Sequence, residues 1–260
     1  MLKQILLTFT VLGVAGSAAA ADITNPFFLP KSLHVNSITS ADYSVQQIKY
    51  SGSNGRIYTK DLTEQLKFGI LDSLSVIGEV SKDWAKRKDR ITGLSEKEHN
   101  DLDWNAGLAW NILCCGTKLQ LSSVYGQNTP NHRSKGTYKY FDTELKAGYQ
   151  FKTFLPYVTL NVHTPVAQTV VNEQGNWSYS GKIGTYQGKC GVWGLDTALV
   201  WGFDRTANHM RSLSAEAEAS YYLAKNMTVG VYGSYMLKGD GKFDSDWYNK
   251  SLGARLRLYF

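Results

Sequence analysis

The stretch YNKSLGARLRLYF at the C-terminus alternates with a period of two. Leu252, Ala254, Leu256, Leu258 and Phe260 fall on one face; Ser251, Gly253, Arg255, Arg257 and Tyr259 fall on the other. Successive side chains of a strand point to opposite sides, so this pattern predicts a strand with one apolar and one wet face. MTVGVYGSYMLK before it sets Val229, Val231, Tyr235 and Leu237 against Thr228, Gly230, Tyr232 and Ser234. SLSAEAEASYYL is rich in Ala and Glu, which favour a helix by propensity. Its strict alternation predicts a strand instead, with Glu216 and Glu218 on the polar face. The same period predicts strands over 191–204, 177–187, 155–163, 138–151, 118–126, 102–112, 74–84 and 62–70. A first strand is expected within 32–50, with a bulge near Gln46 and Gln47 where its pattern slips.

The connections sort by length. Short ones are expected at 71–73, 113–117, 152–154, 188–190 and 224–226, and longer ones at 51–60, 85–101, 127–137, 164–176, 205–211 and 239–247. Alternating short turns and long loops, over about twelve strands, predict an all-β fold: a transmembrane antiparallel up-and-down β-barrel with both termini on the short-turn side. A soluble β-sandwich also alternates, but its loops need not sort in this way. Closure removes the strand edges that a bilayer cannot satisfy. Most tryptophans, among them Trp84, Trp104, Trp110, Trp193 and Trp201, fall near predicted strand ends, as interfacial girdles require.

Composition refines this picture. Lys3, an apolar run from Ile5 to Val14 and the small residues Ala18 to Ala21 read as an export signal over 1–21, leaving a barrel domain over 22–260. The apolar run is shorter than the roughly 18 to 20 residues of a membrane helix. The mean hydropathy is negative, which a barrel tolerates because only alternate residues meet lipid. The net charge of +6 fits anionic surfaces, and nucleic acid is no partner for an exported chain. Cys114, Cys115 and Cys190 lack the spacing of a disulfide framework. His34, His99, His163 and His209 show no metal spacing, and no phosphate-binding glycine loop precedes a helix. No cofactor is expected.

The terminal Ala254-Arg255-Leu256-Arg257-Leu258-Tyr259-Phe260 resembles the C-terminal signature of bacterial outer-membrane β-barrels. That resemblance implies an outer-membrane location and recognition by the barrel-assembly machinery, through Leu256, Leu258 and the terminal Phe260. The stretch from Asp22 to Pro30 resembles the start of some uncharacterised bacterial barrels and implies no activity.

The face opposite the apolar one predicts the lumen. It carries the acids Glu79, Asp83, Asp103, Asp142, Glu144, Asp196, Glu216 and Glu218 and the bases Lys67, Lys118, Lys146, Lys182, Arg255 and Arg257. An anion-selective pore would be mainly basic, and this set is mixed. Two readings stay open. One is a narrow channel for small polar or charged solutes, with Lys146, Arg255 and Arg257 as anion contacts and Glu216 and Glu218 lining the lumen. The other is a nonconducting structural or surface-interaction barrel in which those charges pair across the lumen. Lys86, Arg87, Lys88 and Arg90 form a basic loop suited to membrane lipid and lipopolysaccharide phosphates.

Hydrolysis is a distant third reading. His132-Arg133-Ser134 resembles part of the outer-membrane phospholipase motif, but Lys135-Gly136 follow in place of Asn-Gly-Arg. Ser53-Asn54-Gly55-Arg56 carries that string without the histidine, so no catalytic residue is assigned and the chain is not expected to be an enzyme.

Overall fold

The computed structural model describes residues 21–50, 53–89, 95–99, 101–113, 116–129, 137–152, 154–168, 177–204, 211–240 and 247–260. The chain starts with β1 (Val35–Tyr50), β2 (Ser53–Leu71), β3 (Leu74–Asp89), β4 (Ser95–His99) and β5 (Leu102–Leu113). It continues through β6 (Thr117–Thr129), β7 (Tyr138–Tyr149), β8 (Phe154–Gln168) and β9 (Ser178–Lys189). It ends with β10 (Trp193–Asp204), β11 (Arg211–Ala224), β12 (Met227–Asp240) and β13 (Trp247–Tyr259). All pairings are antiparallel. β4 and β5 both pair with β3, Lys88 meeting Ser95 and Lys82 meeting Leu102, so they form one interrupted wall strand. The wall is therefore a closed twelve-strand barrel.

Closure is made by β1 and β13. Their register runs from Asn36–Tyr259 to Ile48–Trp247. It ends on a reciprocal backbone pair between Val35 and Phe260, 2.9 Å in each direction. Leu256 and Leu258 lie opposite Thr39 and Ser37 on this seam. Among the described residues, no helix is long and apolar enough to cross a membrane.

The exterior is the apolar face. Val76, Val80, Leu108, Leu145, Leu160, Ile183, Leu199 and Val231 are all exposed at mid-strand. So much exposed apolar side chain is unstable in water and stable in lipid. Aromatic side chains rim the band, with Tyr43, Trp84, Trp104 and Phe141 toward the long-loop end and Trp110, Tyr149, Trp193 and Tyr221 toward the short-turn end. The lumen-facing acids and bases expected from alternation sit on the same strand faces as the groups that line the interior.

Three expectations fail at the long-loop end. β2 starts at Ser53, directly opposite Tyr50, so the expected loop at 51–60 is mostly strand. β3 likewise runs on to Asp89, well into the loop expected from 85. β1 carries no bulge at Gln46 and Gln47; its register with both neighbours is unbroken there. These misreadings have one cause. The strand ends reach the aromatic rim and beyond, where polar side chains occupy both faces and alternation no longer marks a strand. Residues 1–20 and Cys114, Cys115, Arg90, His132 and Ser134 lie outside the described residues, while Cys190 is exposed in a turn.

Candidate functional site in the lumen

The short-turn end of the barrel is occupied by the chain's own first residues. From Ala21 to His34 the chain forms successive turns inside the wall. Asn25 N–H donates to Asp22 O (3.0 Å), Phe28 N–H to Asn25 O (2.9 Å), and the Asn25 side chain accepts from Phe27 N–H (2.9 Å). Leu33 adopts a left-handed φ of 62° as the segment turns into β1. Gly69 is required beside it, because a Cβ there would lie 2.0 Å from Lys31 O.

Apolar residues of this segment enter two small cores. Phe27 packs with Leu155, Tyr157 and Tyr186; Ile23 packs with Tyr222 and Tyr259. The Phe27 and Tyr157 rings meet edge-on at 6.2 Å, as do Phe28 and Tyr259 at 5.5 Å. Polar groups of the wall satisfy the segment's backbone. Lys146 Nζ donates to Pro26 O (3.0 Å), Gln120 Nε2 to Phe27 O (3.2 Å) and Tyr222 OH to Ala21 O (3.1 Å). Tyr186 OH donates to Asp22 Oδ1 (2.6 Å) and lies 2.6 Å from Thr24 Oγ1. Gly194 makes room for this contact, since a Cβ there would sit 2.5 Å from Thr24 Oγ1.

Above the segment lies a cavity of about 300 Å³. Ile23 to Pro26 and Phe28 form one side; Asn36, Lys67, Glu79, Glu218, Arg255 and Arg257 are among its walls. Glu218 receives both arginines, Arg255 Nη1 on one oxygen and Arg257 Nη2 on the other at 2.5 Å. Arg257 also donates to Ser220 Oγ (3.2 Å), and the Arg255 guanidinium lies 4.4 Å from the Tyr232 ring centre. Lys146 pairs with Glu144 at 3.2 Å, and Lys182 with Glu216 at 3.1 Å. Lys67 forms no ion pair or hydrogen bond with any described residue, and the buried Asn36 Oδ1 and Arg255 Nε find no protein partner.

Further toward the long loops the lumen turns acidic. Asp42 lies opposite Asp61, and Asp61 opposite Asp83, in one row across three strands. Asp83 Oδ1 accepts from Asp101 N–H at 2.6 Å. Nearby, Tyr140 OH donates to Asp103 (2.7 Å), and Asp142 lies 2.6 Å from His163 Nδ1.

Arg255, Arg257 and Glu218 thus converge on one wall of the cavity, and Lys146 reaches it through the N-terminal segment. Glu216 sits with Lys182 instead. Lys86, Arg87 and Lys88 are strand residues of β3, so alternation sends Arg87 to the lumen face, beside Gly55, and Lys86 and Lys88 outward. Sequence reading missed the N-terminal segment. Its signal was Pro26-Phe27-Phe28-Leu29-Pro30, an apolar run too short and too proline-bound to be a wall strand, which must still be buried.

No protein-family model and no curated protein sequence matches the chain. Solved structures do. The COG4313 outer membrane channel from Pseudomonas putida F1 superposes with a TM-score of 0.68 at 9% identity, over 92% of this chain and 100% of the other. The translocator domain of the autotransporter NalP from Neisseria meningitidis gives 0.60 at 10% identity, over 100% and 95%. The CymD monoaromatic hydrocarbon channel gives 0.51 at 8% identity, over 88% and 89%. These neighbours are channels and translocators, and what this chain shares with them is the fold of the outer-membrane β-barrels.

Proposed function

We propose that this protein is an outer-membrane channel for small polar or charged solutes, closed at its periplasmic mouth by its own N-terminal segment. The observation that carries the reading is the cavity above that segment. Lys67, Asn36 Oδ1 and Arg255 Nε present polar groups without a hydrogen-bond partner among the described residues, and unpaired polar groups are costly unless water or a solute meets them. Lys67, Lys146, Arg255 and Arg257 supply anion contacts, offset by Glu218 and Glu79. Signal cleavage before Asp22 and assembly through Leu256, Leu258 and Phe260 bring the chain to that membrane.

Planar-bilayer recording of the mature protein tests this. Small, saturable ion currents are expected, rising when residues 22–30 are removed. No current from either form, across salts and voltages, overturns the channel and leaves the nonconducting barrel.

A second reading has a specific support. Phe27, Phe28 and Ile23 give the segment an apolar side, and CymD is a channel for monoaromatic hydrocarbons. Passage of toluene without passage of small polar solutes in liposome assays would favour it.

A further inference from the structure

We propose that the outer wall of β2 and β3 carries a binding site for the phosphate groups of lipid A in the outer leaflet. This inference rests on the outer-membrane reading and not on conduction.

At the long-loop end of these two strands alternation turns most of the cations outward. On the outward face, the register sets Arg56 opposite Lys88, Tyr58 opposite Lys86, Lys60 opposite Trp84 and Leu62 opposite Lys82. The residues between them turn into the lumen, among them Asp61 and Asp83. No acidic side chain faces outward on either strand between this patch and Glu64, so the patch is uniformly cationic. Arg56, Lys60, Lys86 and Lys88 form no ion pair with any described residue, and the last three are exposed.

Height in the membrane selects the partner. Tyr43 stacks on Tyr58 at 6.4 Å, and Trp84 lies exposed beside Lys60, placing the cations at the aromatic rim of the long-loop end. That level is where headgroups meet acyl chains. Below it, interrupted by Lys82 and by Glu64, which accepts from Ser37 and Thr39, the same wall presents Leu62, Leu66, Phe68, Val76 and Val80, a surface for acyl chains. Cations spaced along neighbouring strands at headgroup depth, above an apolar wall, match a lipid with phosphates above several chains. Arginine and lysine bind phosphate by charge-assisted hydrogen bonds, strengthened where water is scarce.

The test uses the full mature protein folded into phosphatidylcholine vesicles doped with bis-phosphorylated lipid A or with its dephosphorylated form. The readout is the amount of lipid A retained after extraction, with the gel-shift melting midpoint alongside. Wild-type protein should retain the phosphorylated form and melt later with it. The triple variant Lys60→Gln, Lys86→Gln, Lys88→Gln should retain it about a hundredfold more weakly, at roughly 1 kcal/mol for each cation. Arg87→Gln, on the lumen face, should behave as wild type. Equal retention of dephosphorylated lipid A, or undiminished retention by the triple variant, overturns the proposal, as does an equal loss in Arg87→Gln. If the triple variant does not fold, the two lipid A forms compared on wild-type protein decide it.

Discussion

The two ends of the lumen are built on opposite principles. At the short-turn end, Lys67, Lys146, Arg255 and Arg257 surround a packed segment, and three of the four bind acids or backbone carbonyls. At the long-loop end, Asp42, Asp61 and Asp83 face one another across adjacent strands. β2 contributes to both, with Lys67 at one end and Asp61 at the other, and the N-terminal segment packs only against the first. The basic end is filled by protein and holds its charges in place. The described contacts of that segment do not extend to the acidic row. In the proposed channel, a solute entering from the long-loop end would meet the acidic row first and the basic constriction second.

Removing the closure is the strongest way to break this contrast. Phe27→Ala takes a ring out of the pocket formed by Leu155, Tyr157 and Tyr186. Truncating a buried aromatic costs about 3–5 kcal/mol, which at 1.4 kcal/mol per tenfold lowers the docked-to-undocked ratio at least about a hundredfold. Single-channel recording should show long-lived open events that are rare in wild type. Unchanged open probability would mean that the segment stays docked through its polar contacts alone.

The next largest effect is expected at Glu218. Arg255 and Arg257 share this one carboxylate. Glu218→Gln leaves two guanidiniums with a neutral partner, and breaking a buried pair in this way costs about 3–5 kcal/mol. The melting temperature on unheated gels should fall. The reversal potential in a salt gradient should move toward anions, because the constriction gains a net positive charge. Arg257→Gln should move it the other way, so the two variants separate charge from stability.

How much of this contrast was legible in the sequence follows from where alternation holds. Within lipid, every second residue must be apolar, so β13 could be read residue by residue, with Arg255 and Arg257 inside and Leu256 and Leu258 outside. Pairing of inward charges was foreseeable too, because Glu218 and Arg257 lie on strands with one strand between them. The plug was not legible, because Asp22 to Pro30 has no period and its burial depends on Tyr157, Tyr186, Tyr222 and Tyr259, scattered over strands far apart in sequence. The acidic row was only half legible. Asp83 falls on the lumen face of the strand expected over 74–84, whereas Asp61 lies just outside the one expected over 62–70 and Asp42 lies in a first strand whose parity the sequence leaves open.

That acidic row yields the smallest of the expected effects. Asp61 accepts a hydrogen bond from Thr63 Oγ1 at 2.6 Å and has a carboxylate opposite it on either side. Asp61→Asn removes the middle charge and relieves repulsion on both neighbours, so folding stability should hold or rise slightly. Conductance at high salt should be unchanged, since the constriction lies elsewhere. At low salt, where screening reaches about 30 Å at 10 mM, cation entry from the long-loop side should fall while entry from the short-turn side should not. Current rectification that appears only at low ionic strength is the expected signature. An equal loss from both sides would place Asp61 in the constriction and erase the difference between the two ends of the lumen.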